Sequence, residues 1–218
     1  MLMLADRGEI DFAAPVATYW PEFAANGKEG VLVRHVLGHT AGLPGWNPGI
    51  TGETLYDWDA TCANLAAQAT WWEPGTQSGY HALSQGYLEG EIVRRVTGRS
   101  IGTYFRDEVA EPLGADFHIG LPESEEHRVA TMITPDLALG EGQGLDPDSI
   151  AVRALMSCRI SGAECNTREW RAAEIPAAGG TGNARSVARV HAALANGGTV
   201  DGVRLLSAEG VDQIFAEQ

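Results

Sequence analysis

The sequence predicts a helix-rich α+β domain with only short strands. Apolar residues recur at helical spacing in several segments, most strongly over 82–97, where Leu83, Tyr87, Gly90 and Val93 line one stripe and Ile92 with Val96 widens it. Strand-like stretches are confined to 128–133 and 199–206. Long loops carrying many of the 27 glycines and 10 prolines separate the helices, and loops of this kind usually shape a site. With 218 residues, 44% hydrophobic and 20% charged, the chain holds enough apolar material for a sizeable core and reads as a single domain over 1–218.

Taken in order, Met1 to Arg7 reads as the last turns of an amphipathic helix closed by Gly8 at C′. Segment 9–26 is irregular, because Pro15 and Pro21 break any helix. Val31 to Gly38 suits a short buried helix, followed by the turn-rich loop His39–Gly45. Asp57 caps a helix running to about Ala69, with Trp58, Cys62, Leu65 and Ala66 on one face. Glu73-Pro74-Gly75 is a turn, and the strong helix that follows ends at Gly98. Gly86 and Gly90, four apart, permit close packing against it. Ser100 caps a helix ending near Val109, before Pro112, and 111–120 reads as a loop. Gly140 to Gly144 is a connector. Ser149 to Cys158 is helical, 177–182 is a Gly-rich loop, and Asn183 caps a helix that ends at Asn196-Gly197-Gly198. A hairpin is expected around Asp201-Gly202. Ser207 caps a last helix whose apolar stripe is Val211, Ile214 and Phe215.

Charge excludes several function classes. Fifteen Lys+Arg against 29 Asp+Glu give a net charge of −14, which repels phosphate backbones and anionic lipid. No apolar run approaches the roughly 18 residues of a membrane span, and Met1 to Asp6 lacks the basic start of a leader. Nucleic-acid and membrane partners are therefore not expected, and a cytoplasmic location is. Three cysteines form no disulfide framework, although Cys158 and Cys165 are near enough in sequence to bridge.

Most chemical motifs are missing. The single Lys28 belongs to no phosphate loop, and no Cys-x-x-Cys occurs. Gly179 to Asn183 precedes a helix and reads better as a capping loop than as an anion cradle. His35 and His39, four apart, make a weak metal pair; the plainer reading is that His39 bonds a loop carbonyl. Trp71-Trp72 reads as core or pocket wall, and Glu123, Glu125 and Glu126 as a solvated stretch. No cofactor or metal is expected.

Three stretches together resemble the serine β-lactamase and penicillin-binding-protein-like hydrolases, in particular class C β-lactamases and family VIII carboxylesterases. Val33-Arg34-His35-Val36-Leu37-Gly38-His39-Thr40-Ala41-Gly42-Leu43-Pro44 is similar to the family segment "vrhLLsHTSGLp". The block from Glu73-Pro74-Gly75 through Tyr80-His81-Ala82, Gly90-Glu91-Ile92-Val93, Val96-Thr97-Gly98 and Pro112-Leu113-Gly114 resembles "PGt…Y-x-N…lg.iiE.vtG.s…PLG". Gly179 to Arg189 with Gly202 to Ser207 resembles "GG..sTarDlarf…dG.rlLs". Order and spacing agree over nearly the whole chain.

The resemblance implies an antiparallel sheet with helices on both faces and a helical subdomain, with the sheet built largely from the two chain ends. It implies a nucleophilic Ser in a Ser-x-x-Lys, with that Lys and the Tyr of Tyr-x-Asn moving the proton; Tyr80 matches the Tyr. A free serine hydroxyl is a poor nucleophile, and a phenol beside an ammonium ionises more readily and can accept its proton. Without the flanking match, Tyr80 reads as a core tyrosine. Two departures stand out. No Ser-x-x-Lys occurs, and neither does the family's last motif, so the chain is expected to be the central part of the family domain, truncated at both ends and inactive alone. Ala82 stands where the family has Asn and cannot hydrogen-bond, which favours esters over β-lactams as substrates. His81 is a pocket candidate that either hydrogen-bonds near the pocket or faces solvent. The expected partner is a small-molecule ester or amide; a homo-oligomer is compatible with the sequence but not shown by it. The rival reading is a non-catalytic truncated paralogue acting as a binding or partner domain, and a third is a β-lactam or D-Ala peptide hydrolase.

Overall fold

Side-chain caps set where most helices begin. A computed structural model of the chain describes residues 1–133 and 146–216; the expected connector at 140–144 lies outside the described residues. The helices in order are α1 (Leu2–Asp6), α2 (Val33–Leu37), α3 (Gly52–Tyr56), α4 (Trp58–Ala67), α5 (Ser84–Thr97), α6 (Ile101–Phe105), α7 (Glu111–Leu113), α8 (Ile150–Met156), α9 (Arg168–Ala172), α10 (Ala184–Ala195) and α11 (Ala208–Asp212). Asp57, Ser100, Ser149, Asn183 and Ser207 each accept an N–H from the first turn of α4, α6, α8, α10 and α11. These are positions the sequence marked. Thr51 and Thr167 cap the five-residue helices α3 and α9, which it did not.

The core sits where α2, α4 and α5 meet the irregular segment after α1. Val16, Trp20, Phe23, Val36, Leu65 and Ile92 are buried there, each worth about 2 kcal/mol of transfer free energy. The glycine stripe of α5 explains how closely its neighbours approach. A Cβ on Gly90 would lie 2.4 Å from the Trp58 ring, and one on Gly86 would lie 2.7 Å from the Ala177 amide. Glu91, on the same helix, is buried yet charged. Burial pushes its carboxyl up, but Arg94, Arg95 and the Trp58 indole donate to it at 2.7, 2.7 and 2.8 Å and hold it below its ordinary range. Lys28 is also buried, its ammonium donating to the Ala25 and Ala66 carbonyls at 2.6 and 2.9 Å and to that of Gln68. It closes the C-terminal end of α4, where the helix leaves carbonyls unpaired.

Sheet structure among the described residues is two short antiparallel ladders. β1 (Phe117–His118) pairs with β2 (Thr181–Gly182), Phe117 opposite Gly182. β3 (Thr199–Val200) pairs with β4 (Val203–Arg204) across Asp201-Gly202, whose φ of 48° and 81° suit a tight hairpin turn. The ends of the chain meet, with Asp6 accepting from the backbone N–H of Ser207 at 2.8 Å and from its hydroxyl.

Several expectations do not hold. The helix from Ser100 does not stop before Pro112: a π-helical turn (Arg106–Ala110) carries it into α7, and Pro112 follows directly on that widened turn. Segment 111–120, expected as a loop, therefore holds α7 and β1. Segment 128–133 forms no strand, and Met132 instead bonds the Asn166 side chain through both its backbone groups. Ile214 and Phe215 are exposed, because α11 stops at Asp212. Glu125 pairs with Arg128, and Glu126 with Arg168 and Arg171, so that stretch is tied down rather than freely solvated. All three cysteines are free, so Cys158 and Cys165 do not bridge.

Candidate active site

Two of the family-like stretches, 33–44 and 73–85, are laced together by hydrogen bonds. The Glu73-Pro74-Gly75 turn forms as expected, with Gly75 at φ 82° and the Thr76 N–H donating to Glu73. From this loop Gly75 donates to the Thr40 carbonyl at 3.0 Å and Gly79 to the His39 carbonyl at 3.1 Å. In return Leu43 donates its N–H to His81 Nε2 at 3.1 Å, and the Ser84 hydroxyl reaches the Leu43 carbonyl at 2.6 Å. Gln85 donates to the carbonyls of Val36 and Leu37, both at 3.1 Å. Trp72 floors the loop: a Cβ on Gly79 would lie 2.7 Å from its ring.

Tyr80 stands on this braced loop with its side chain outward, 72% exposed. Among the described residues its hydroxyl takes no hydrogen bond, and its ring meets His39 edge-on at 5.0 Å. It is not the core tyrosine of the plainer reading. His81, one residue on, turns the other way and is 1% exposed. Its Nε2 accepts from Leu43, so Nδ1 carries the proton and donates to the Gly79 carbonyl at 2.5 Å. Burial pushes its pKa down to about 4. Both ring nitrogens are thus engaged inside the loop, so the side chain does not face solvent.

His39 does not bond a loop carbonyl through its ring. Its Nδ1 accepts the backbone N–H of His81 at 3.2 Å, while His35 Nδ1 accepts that of Leu32. Among the described residues no group of three or more His, Cys, Asp or Glu is placed to hold a metal. Gly179 to Asn183 forms β2 and the cap of α10, on the wall of a cavity of about 420 Å³ that also includes His118, Arg128, Trp170 and Arg171. Sequence reasoning missed this cavity, because its walls come from three separate stretches, 116–132, 165–171 and 178–183, which only the fold brings together. Tyr80 does not line it.

The beta-lactamase family model matches residues 1–215. The chain belongs to the beta-lactamase family. It is 40% identical over 230 residues to the esterase/beta-lactamase LipL of Mycobacterium tuberculosis, covering 94% of this chain and 50% of LipL. The crystal structure of a family VIII carboxylesterase superposes with a TM-score of 0.88 at 47% identity, covering 97% of this chain and 56% of that one. A penicillin-binding protein homolog from Caulobacter crescentus superposes with a TM-score of 0.87 at 43% identity, covering 100% of this chain and 57% of that one. The family member described here therefore spans about half the length of the relatives it matches. It is a helix-rich member of this serine-hydrolase family, and no described helix is long and apolar enough to cross a membrane.

Proposed function

We propose that these 218 residues are the tyrosine-bearing part of a serine hydrolase that cleaves carboxylic esters by acyl transfer. The observation that carries the reading is the placement of Tyr80: an exposed phenol on a loop fixed by the 39–44 segment, matching the Tyr of the family's Tyr-x-Asn. In this reading a serine and an amine supplied from outside the 218 residues meet the phenol. The nearby ammonium favours the phenolate, which accepts the serine proton as oxygen attacks the ester carbonyl and returns it to the leaving alcohol. Preference for esters over amides is supported by Ala82, which cannot hydrogen-bond an amide, and by the esterase names of LipL and the family VIII carboxylesterase. Residues 1–218 act as one β-lactamase-related domain, most of whose antiparallel sheet comes from sequence outside them. His81 contributes from beneath, holding the loop rather than touching substrate.

The test uses p-nitrophenyl acetate. The 218-residue chain alone is expected to hydrolyse it at the background rate, because no Ser-x-x-Lys is present. A longer chain bearing that motif should turn it over and lose the activity in Tyr80→Phe. Turnover by the short chain that disappears in Tyr80→Phe would overturn the division of labour. The absence of the nucleophile motif also favours a second reading, a non-catalytic binding or partner domain. Coding DNA upstream of Met1 separates the two: an in-frame Ser-x-x-Lys supports the hydrolase, and a stop codon supports the binding domain.

A further inference from the structure

We propose that His39, as the neutral imidazole protonated on Nε2, is a positioning residue that clasps the chain on both sides of Tyr80. The inference rests on the reading of Tyr80 as the proton-shuttling phenol. His39 holds the residue before Tyr80 with its backbone, accepting the Gly79 N–H at 3.1 Å, and the residue after it with its side chain, accepting the His81 N–H on Nδ1 at 3.2 Å. Its ring then lies edge-on against the phenol at 5.0 Å and beside the His81 ring at 5.5 Å. One residue therefore fixes three consecutive positions of the site loop.

The backbone of His39 is set for this task. It sits at φ 59°, in the left-handed region that non-glycine residues enter rarely and that Asn tolerates better than most. That conformation ends α2 with its carbonyl turned to Gly79 and its ring turned to His81. Gly38, before it, could take the conformation at less cost but carries no ring nitrogen. The strain is therefore placed where a side-chain acceptor is needed.

The clasp has a definite sign with pH. Nδ1 accepts a hydrogen bond only while it is unprotonated; a second proton turns the acceptor into a donor facing another donor. Burial pushes the His39 pKa below its usual 6.5, so the neutral form prevails at neutral pH and the clasp opens as pH falls through that lowered value. The titratable groups that face it are Tyr80 and His81, both on the loop. His81 is held neutral to about pH 4, and on its own segment His35 turns toward Leu32 and Gly75.

The experiment is NMR on the 218-residue chain with 13C-labelled tyrosine rings, the Tyr80 signal assigned by its loss in Tyr80→Phe, together with amide hydrogen exchange. The Tyr80 ring signal should shift with an inflection below pH 6.5 that coincides with the titration of His39. In His39→Ala, exchange at the His81 amide should rise about tenfold while the amides of α5 stay unchanged. His39→Asn places an Oδ1 where the imidazole has Nδ1 and tolerates the left-handed backbone. It should restore slow exchange and abolish the inflection. Unchanged His81 exchange in His39→Ala, or an inflection that persists in His39→Asn, would overturn the proposal. If His39→Ala does not fold, the wild-type titration and His39→Asn decide. None of these readouts needs turnover, so a failed clasp and a failed esterase reading remain separate results.

Discussion

Tyr80 and Tyr87 lie seven positions apart in the sequence, and the two phenols occupy opposite environments. Tyr80 projects from the loop, 72% exposed. Tyr87 lies on the buried face of α5, its hydroxyl donating to the Leu55 carbonyl at 2.7 Å and its ring set against Trp58 and Trp46. Burial pushes the Tyr87 phenol far above its usual pKa, so it stays a donor at any working pH. The same side chain is thus a structural strut at one position and an exposed phenol at the other. What separates them is which partner the rest of the chain presents. Leu55 comes from α3, thirty-two residues earlier, whereas nothing among the described residues caps the Tyr80 hydroxyl.

The largest contrast should appear in activity. In a chain that carries the nucleophile, Tyr80→Phe should lower p-nitrophenyl acetate turnover by about 10²- to 10⁴-fold, the usual range for a proton-transfer group, while leaving the urea midpoint in place. Tyr87→Ala should do the reverse, lowering stability by about 3–5 kcal/mol in urea unfolding through the cavity it leaves. A stable Tyr87→Ala chain would show that the Tyr87 side chain is not the strut described.

The loop itself should respond to acid through His81. Its folded pKa of about 4 lies below the unfolded value of 6.5. The unfolded chain therefore binds the extra proton first as pH falls. The stability conferred is complete above pH 6.5, declines as pH drops from 6.5 toward 4, and reaches a loss of about 3 kcal/mol there. Urea unfolding at pH 7.5, 6 and 5 for wild type and His81→Gln isolates this contribution from that of the carboxylates, since the variant should lack it. Equal pH slopes in the two chains would contradict the buried neutral imidazole.

Smaller effects sharpen the comparison further. Tyr87→Phe should cost about 1–2 kcal/mol, because the Leu55 carbonyl loses its donor inside the core. Asp59→Asn removes one partner of Arg94 at an exposed position and should change stability by at most about 1 kcal/mol, falling further at high salt. A large effect there would mean that the Glu91 network relies on its exposed rim.

The legible parts share one property. Asp57, Ser100, Asn183 and Ser207 announce helix starts because each bonds an amide three residues along its own segment. The Asp201-Gly202 hairpin and the Pro74-Gly75 turn are local in the same sense. Tyr80 was found from its flanking motif, and the exposure of its side chain could not be read from that motif. The missed helices α3 and α9 are five residues long, too short for a periodic stripe, though their Thr caps were a signal. The inward turn of His81 was not legible, because it depends on a Leu43 N–H thirty-eight residues away.

By itself, then, the sequence determined the helical stretches, their caps and turns, and the family motifs, since these depend on contacts within a few residues or on order along the chain. Tertiary structure alone decided which face of the loop looks outward, which of two tyrosines keeps a free hydroxyl, and what His39 holds. It also decided that Glu126 pairs with Arg168 and Arg171 and that Phe117 pairs with Gly182. The physical reason is that a buried polar atom must find a partner wherever the fold brings one, and no spacing along the chain specifies where that will be.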